Sequence, residues 1–508
     1  LALVLRLSRL LVALGVATSV CVAQENSDER LWVRKFADKI TTFGFTTLGS
    51  LVLQTRGGMV AIDPVSGRDL WSAPDISAYQ RINGTPFAMA VRANRTVVLD
   101  LETGRTLWHI GRPPLIWHKG YIHVPQRGLL LVYGQTATRG HVIVASNYAT
   151  GAVAWRQEDL YSTGPLADEA RDIEYSDRQP ALVDDRMIVL DPTHDGLVAL
   201  DVDTGRLLWR IPELVLKEPG AIAEGSARMR VDGDRLFIPV KKTIVAVGVA
   251  DGAVLWTHKK DFPAAVTQMV VTPHGLLVRG GAGNPYLALL DPATGDERWS
   301  TITMKKLECR SAFVIRGDTL LVGLREGVAV MDVRSGTVLK AVTLSRFQGG
   351  EDPRDLEVLD DGRVLLSSNQ NLRLVDLNGR VYFDRYFKAP GPSLFAKIAG
   401  TVFEAALITS AVVYRTPYTP TPLLTASLVA RYEASVRAQQ YVYMFTSAAG
   451  EDGREGVSLV RINKETGNEV GRVWFSDRSP NFRFDPVSGV AIVAEDNLLH
   501  ASRFPGFE

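Results

Sequence analysis

The sequence predicts an all-β protein, a closed β-propeller built from four-stranded antiparallel blades. Three observations carry that expectation. One short turn recurs along almost the whole chain, its copies follow a period of about 40–50 residues, and short Val-, Leu- and Ile-rich runs with strand alternation fill the intervals. By size alone, 508 residues would allow several domains. A continuous repeat of this length, made of short strands, argues instead for blades arranged radially in one body.

The turn is clearest at residues 199–209, Ala-Leu-Asp-Val-Asp-Thr-Gly-Arg-Leu-Leu-Trp. A strand runs into Asp201, the chain reverses through Thr204 and Gly205, and a second strand reaches Trp209. The length fits a hairpin built on a type I turn. Asp at the first position accepts hydrogen bonds from loop N–H groups, and Gly closes the turn in the left-handed region that a Cβ penalises. Simple alternation would set Gly205 and Trp209 on one face of the sheet.

The copies are Asp63, Gly67 and Trp71; Asp100, Gly104 and Trp108; Asn147, Gly151 and Trp155; Gly248, Gly252 and Trp256; and Asp291, Gly295 and Trp299. In the next copy, Asp332 with Gly336, Lys340 replaces the Trp. Weaker copies are Asp376 with Gly379, one residue shorter, and Asn463 with Gly467. Each repeat carries two further strands ahead of its hairpin, for example Arg235 to Val240 and Thr243 to Val247, separated by Lys241-Lys242. The ends of the chain hold half-units. Gly489 to Asp496 and Leu498 to Ser502 read as inner strands, and Leu31 to Arg34 as a final strand, so the two ends are expected to share one blade. Sharing would remove the open sheet edges on which chains aggregate. Nine turn glycines and the shared blade count ten repeats.

Residues 389–440 break the pattern. Phe395, Val402, Phe403 and Leu407 fall at helical spacing, three prolines follow at 417, 420 and 422, and Leu424, Leu428, Tyr432 and Val436 form a second stripe. A helical hairpin inserted between blades is expected, with Phe395, Val402, Phe403 and Leu407 as the candidate partner-binding stripe. Lys397 and Glu404 make it a poor membrane span. Residues 1–23 read as a signal peptide, with Arg6 and Arg9, an apolar stretch from Leu10 to Val20, and a cleavage site at Cys21-Val22-Ala23. Val20 stands where a lipid anchor on Cys21 would want a small residue, so a plain cleaved signal is the expectation. The resulting division is 1–23 signal peptide, 24–388 first part of the propeller, 389–440 helical insertion, and 441–508 last part. It places the protein in the periplasm or outside the cell, with no transmembrane span after cleavage.

Composition excludes more than it identifies. A net charge of +1 gives no support for a nucleic-acid partner. After cleavage Cys309 stands alone, which rules out an intramolecular disulfide and points to a buried, inert thiol. The eight histidines show no metal-binding spacing. Thr193-His194-Asp195-Gly196 reads as a hydrated loop, Arg279-Gly280-Gly281-Ala282-Gly283 as a turn, and Glu351-Asp352 and Asp360-Asp361 as solvated loop tips. The sequence therefore offers no catalytic residue, no metal ligand and no cofactor site.

The Asp-x-x-Thr-Gly-x-x-x-Trp pattern, preceded by Ala at 61, 145 and 199, resembles the PQQ-type propeller repeat. The resemblance covers most of residues 29–385 and returns at 457–504. It implies eight blades as the family norm and a structural role between blades for Trp71, Trp108, Trp155, Trp209, Trp256 and Trp299. Two functional groups share the repeat: PQQ-dependent dehydrogenases, and non-catalytic propellers such as the lipoprotein of the outer-membrane β-barrel assembly machinery. The first group typically carries adjacent cysteines over the quinone, and its haem-bearing relatives carry Cys-x-x-Cys-His. Neither motif occurs here. The expectation is a non-catalytic scaffold or assembly subunit of the cell envelope with a protein partner. The alternative is a PQQ-dependent alcohol or sugar dehydrogenase.

Overall fold

The computed structural model describes residues 30–82, 85–110, 117–124, 127–135, 141–157, 181–183, 186–190, 197–211, 229–281, 284–302, 307–388, 431, 438–449, 455–475, 477 and 480–507. These residues are almost wholly strand and turn. They form nine four-stranded antiparallel sheets and one three-stranded sheet, each an up-and-down meander of neighbouring strands. The fifth is representative: Arg230–Asp232, Arg235–Val240, Thr243–Gly248 and Val254–Thr257 follow in order, joined by tight turns. Its two middle strands are almost entirely buried, whereas the last one starts exposed and buries only Trp256. That gradient is what a sheet standing edge-on between two others requires: apolar residues on both faces in the middle, polar residues at the rim.

Between sheets, the core is a series of apolar clusters, each shared by two neighbours. Leu197, Ala199, Trp209 and Ile211 of the fourth sheet pack on Leu236, Ile238 and Val245 of the fifth. Phe237, Ala246 and Trp256 of the fifth meet Met269, Leu276 and Tyr286 of the sixth. The last sheet is assembled from both ends of the chain. Arg30–Lys35 pairs antiparallel with Leu498–Arg503, which continues into Val490–Glu495 and Phe482–Asp485. Val490, Ile492, Leu499 and Ala501 of that sheet share a cluster with Ile40, Leu51, Leu53 and Ile62 of the first. The three-stranded sheet holds Tyr441–Ala449, Glu455–Asn463 and Glu469–Phe475, and the Asn463–Gly467 turn joins its last two strands. By analogy with the others, the strand it lacks among the described residues is the first one.

Two expectations change. The hairpin does not run on simple alternation: the register shifts between Ala199 and Leu200, and again between Ala61 and Ile62, Ala246 and Val247, and Leu289 and Leu290. A bulge just past each turn adds twist and re-aims the Trp. Glu351 and Asp352 are also not solvated tips. Glu351 accepts hydrogen bonds from Ser368, Gln370 and Asn371, and Asp352 pairs with Arg310 and Arg325. Thr193–Gly196, the signal segment 1–23, and nearly all of 389–440, including Phe395, Val402, Phe403 and Leu407, lie outside the described residues.

Candidate functional site at the seams between sheets

Most of the repeated turns share one local chemistry; the exceptions are the Gly248 copy, which has no side chain at the first position, and the shorter Asp376 copy. In the fourth sheet the Gly205 N–H donates to the Asp201 carbonyl at 2.8 Å, and the Asp201 carboxylate accepts from the Thr204 N–H and hydroxyl at 2.8 and 2.7 Å. The Asp63, Asp100, Asn147 and Asp291 copies repeat the glycine bond. The Thr204 hydroxyl holds the Asp201 carboxyl below its ordinary pKa, because it donates to the charged form. The turn glycines at 67, 104, 151, 205, 252, 295 and 336 have φ between +69° and +74°, which side chains seldom tolerate.

Their second reason to be glycine comes from the neighbouring sheet. A Cβ on Gly205 would run into the Trp155 indole, one on Gly252 into Trp209, and one on Gly295 into Trp256, all under 3.0 Å. The same relation links Trp71 to Gly104, Trp108 to Gly151 and Trp299 to Gly336. Each Trp thus lies on the turn of the next sheet, and most are also tied to it. Nε1 of Trp71 donates to the Leu101 carbonyl, Trp155 to Val202, Trp209 to Val249, Trp256 to Pro292 and Trp299 to Val333, at 2.8–3.1 Å. Trp108 Nε1 has no such partner. Five of these six seams therefore join the hydrophobic payload of an indole to a directed bond.

Two members of this set were not singled out from the sequence. Trp32 lies over Gly67 and donates to the Pro64 carbonyl at 2.9 Å. Its strand has no turn ahead of it in the chain, because its sheet partner is at the other terminus. Phe383 takes the indole position over Gly467. A related contact lies within the last sheet, where Phe507 covers Gly489 in the turn between Phe482–Asp485 and Val490–Glu495. That turn, Asp485-Pro486-Val487-Ser488-Gly489, repeats residues 63–67 letter for letter, a signal that could have been read.

On the opposite side, several first strands lie close to those of the neighbouring sheet, and arginine side chains and Gln268 bridge the sheets there. Arg81 donates to the Phe45 carbonyl, Arg230 to Met269 at 2.9 Å and Arg279 to Arg310 at 2.6 Å. Gln268 both donates to and accepts from the Phe313 backbone. The carboxylates here are already engaged: Arg310 and Arg325 hold Glu308 and Asp352, and Arg431 pairs with the buried Asp485 at 2.7 Å. Arg310 keeps the Glu308 carboxyl below its usual range, whereas burial pushes Asp355 up. Cys309 is fully buried, and burial pushes its thiol up to about 12, far from a nucleophile at neutral pH. Among the described residues no three His, Cys, Asp or Glu side chains are grouped to hold a metal ion. Among the described residues, Glu308, Asp352 and Asp485 are held by arginines and do not offer the free oxygen ligands that a calcium ion needs. No helix among the described residues is long and apolar enough to cross a membrane.

Repeated sheets and indole-on-glycine seams define an all-β protein of the PQQ-type propeller class. The family described as outer membrane protein assembly factor BamB matches at residues 92–259 and 194–382, more than half of the chain, and the chain belongs to that family. It is also similar to quinoprotein ethanol dehydrogenases of Pseudomonas aeruginosa, 29% identical over 138 residues, and Pseudomonas putida, 26% identical over 138 residues. In both cases the match covers 23% of this chain and 22% of the relative. Among solved structures, BamB from Moraxella catarrhalis is 13% identical with a TM-score of 0.35, covering 76% of this chain and 94% of that one. That overlap is too loose to bear on function.

Proposed function

We propose that this chain is a non-catalytic propeller of the cell envelope that acts as a protein-binding scaffold or assembly subunit. The match to the assembly-factor family over residues 92–382 carries the reading. It is supported by side chains that are spent on structure: carboxylates closed off by Arg310, Arg325 and Arg431, and a thiol at Cys309 that is buried and protonated. In this reading the sheets form a closed ring of ten blades, with the ends of the chain sharing the last. Residues 24–388 and 441–508 supply the ring, residues 1–23 direct export to the periplasm or beyond, and residues 389–440 present Phe395, Val402, Phe403 and Leu407 to a partner.

A second reading, a PQQ-dependent dehydrogenase, is favoured by the likeness to quinoprotein ethanol dehydrogenases. The two separate on protein purified natively from cells grown with the quinone. The scaffold reading expects no quinone absorbance and recovery of a stoichiometric protein partner. A stoichiometric quinone spectrum with dye-linked alcohol oxidation would overturn it.

A further inference from the structure

One seam departs from the rule. In the hairpin of the seventh sheet Lys340 stands where the other outer strands carry Trp, and the turn it faces in the eighth sheet is Gly379. The other turn glycines of the series have a ring within 3.0 Å of a would-be Cβ; around Gly379, among the described residues, only Val342 Cγ1 comes within 4 Å, at 3.6 Å. Lys340 does not fill the space above the glycine: its Nζ donates to the Asn378 side-chain amide at 3.0 Å. The outer strands of the two sheets that form this seam carry Val338 and Leu339 on one side and Val381 and Tyr382 on the other, all exposed, and Leu339, at 57%, is the most exposed large apolar residue described. The outer strand Val338–Thr343 is the last of its sheet, and no described strand pairs with its outer edge.

We propose that the seam between the seventh and eighth sheets is a docking slot for an aromatic side chain carried on an extended, acidic segment of a partner protein. The molecule itself shows what such a slot holds: seven indoles and one phenyl ring occupy the equivalent positions over Gly67, Gly104, Gly151, Gly205, Gly252, Gly295, Gly336 and Gly467. Gly379 presents the same bare backbone platform, at φ +92°, with Val342 beside it and the exposed Leu339 on the outer strand that faces it. The acidic character follows from Lys340, whose described partner is a neutral amide, so that its ammonium is left to meet a carboxylate. The extended form follows from that strand edge, which accepts one more strand by backbone pairing.

The proposal rests on the scaffold reading and names one surface within it. A labelled peptide with the sequence of residues 296–301, Asp-Glu-Arg-Trp-Ser-Thr, serves as probe, since this outer strand fills the preceding seam. Fluorescence anisotropy with the full chain is expected to show saturable binding at ~1 mM or tighter, as for a single aromatic anchor. Lys340→Trp, which supplies the missing indole from within, is expected to weaken binding at least about tenfold and raise the melting temperature. Leu339→Glu alters only an exposed side chain and is expected to weaken binding likewise with unchanged melting, so the test survives if the first variant folds poorly. A peptide with Ala in place of Trp is expected not to bind. Absence of saturation with the unmodified chain, or equal affinity for all three proteins, would overturn the slot. The quinone and partner-recovery measurements stand apart from this assay, so failure of the slot leaves the scaffold reading untouched.

Discussion

At the scale of single residues, the seam tryptophans are the largest replaceable contributions to stability. Trp209 is buried, lies on Gly252 and donates to the Val249 carbonyl at 2.9 Å. Trp209→Ala is expected to cost about 3–5 kcal/mol, as other large aromatic truncations do. Lys340→Ala, at the exposed equivalent position, is expected to cost less than about 0.5 kcal/mol. Urea denaturation of both variants checks the alignment, and equal losses would break it. His123 adds a pH dependence. Its ring packs against Tyr148 with centroids 4.6 Å apart and a tilt of 35°, Nε2 has no hydrogen-bond partner among the described residues, and burial lowers its pKa to about 4. A histidine whose pKa is depressed in the native state is neutral there, while the unfolded chain takes up a proton first as pH falls. Its contribution is therefore present above about 6.5 and lost progressively down to about 4, by up to ~3 kcal/mol. Chemical denaturation of the wild type and His123→Phe at pH 7 and pH 5 isolates this part: the variant should lose less stability on acidification.

At the scale of elements, the Arg30–Lys35 strand matters out of proportion to its length. It pairs along Leu498–Arg503, and Trp32 lies on Gly67 of the first sheet. Deleting residues 24–36 removes that pairing and leaves an open strand edge. The expected outcome is a lower melting temperature together with concentration-dependent association, read by thermal unfolding and light scattering. A monomeric truncation with unchanged melting would mean that the two termini do not depend on each other. The hairpins were legible in the sequence because the turn chemistry is local: Asp, Thr and Gly act on atoms within five residues of each other. The bulge behind each turn was not legible. No residue type marks it, and it arises where the twist of two paired strands must be reconciled with the next sheet.

At the scale of the whole molecule, the insertion expected at residues 389–440 offers the most informative test. Excising residues 389–440 and bridging the gap with a short Gly/Ser linker separates its two roles. Retained melting with loss of the native partner is the outcome expected if the stripe of Phe395, Val402, Phe403 and Leu407 serves docking. Loss of melting would assign those side chains to the core. The Arg431–Asp485 pair gives one reason for caution in the choice of end points, since it ties residue 431 to the last sheet. Retaining residues 431–440 in a second version keeps that pair, and the partner result can then be read without its loss.

The sequence by itself determined the strands, their grouping into hairpins and the period of the repeat, because alternation and turn chemistry are short-range and written in consecutive residues. It also determined the lone Cys309 and the absence of adjacent cysteines. Only the tertiary structure decided what each tryptophan touches. Trp155 and Gly205 are fifty residues apart in the chain, and neither letter records that the indole of one is the reason the other has no side chain. The same holds for Trp32 and Phe383, whose places over Gly67 and Gly467 depend on which sheets stand side by side. The bare face of Gly379 is of this kind too. It is visible only where a contact made at all the related turns is missing, and a contact between sheets exists only once they are packed.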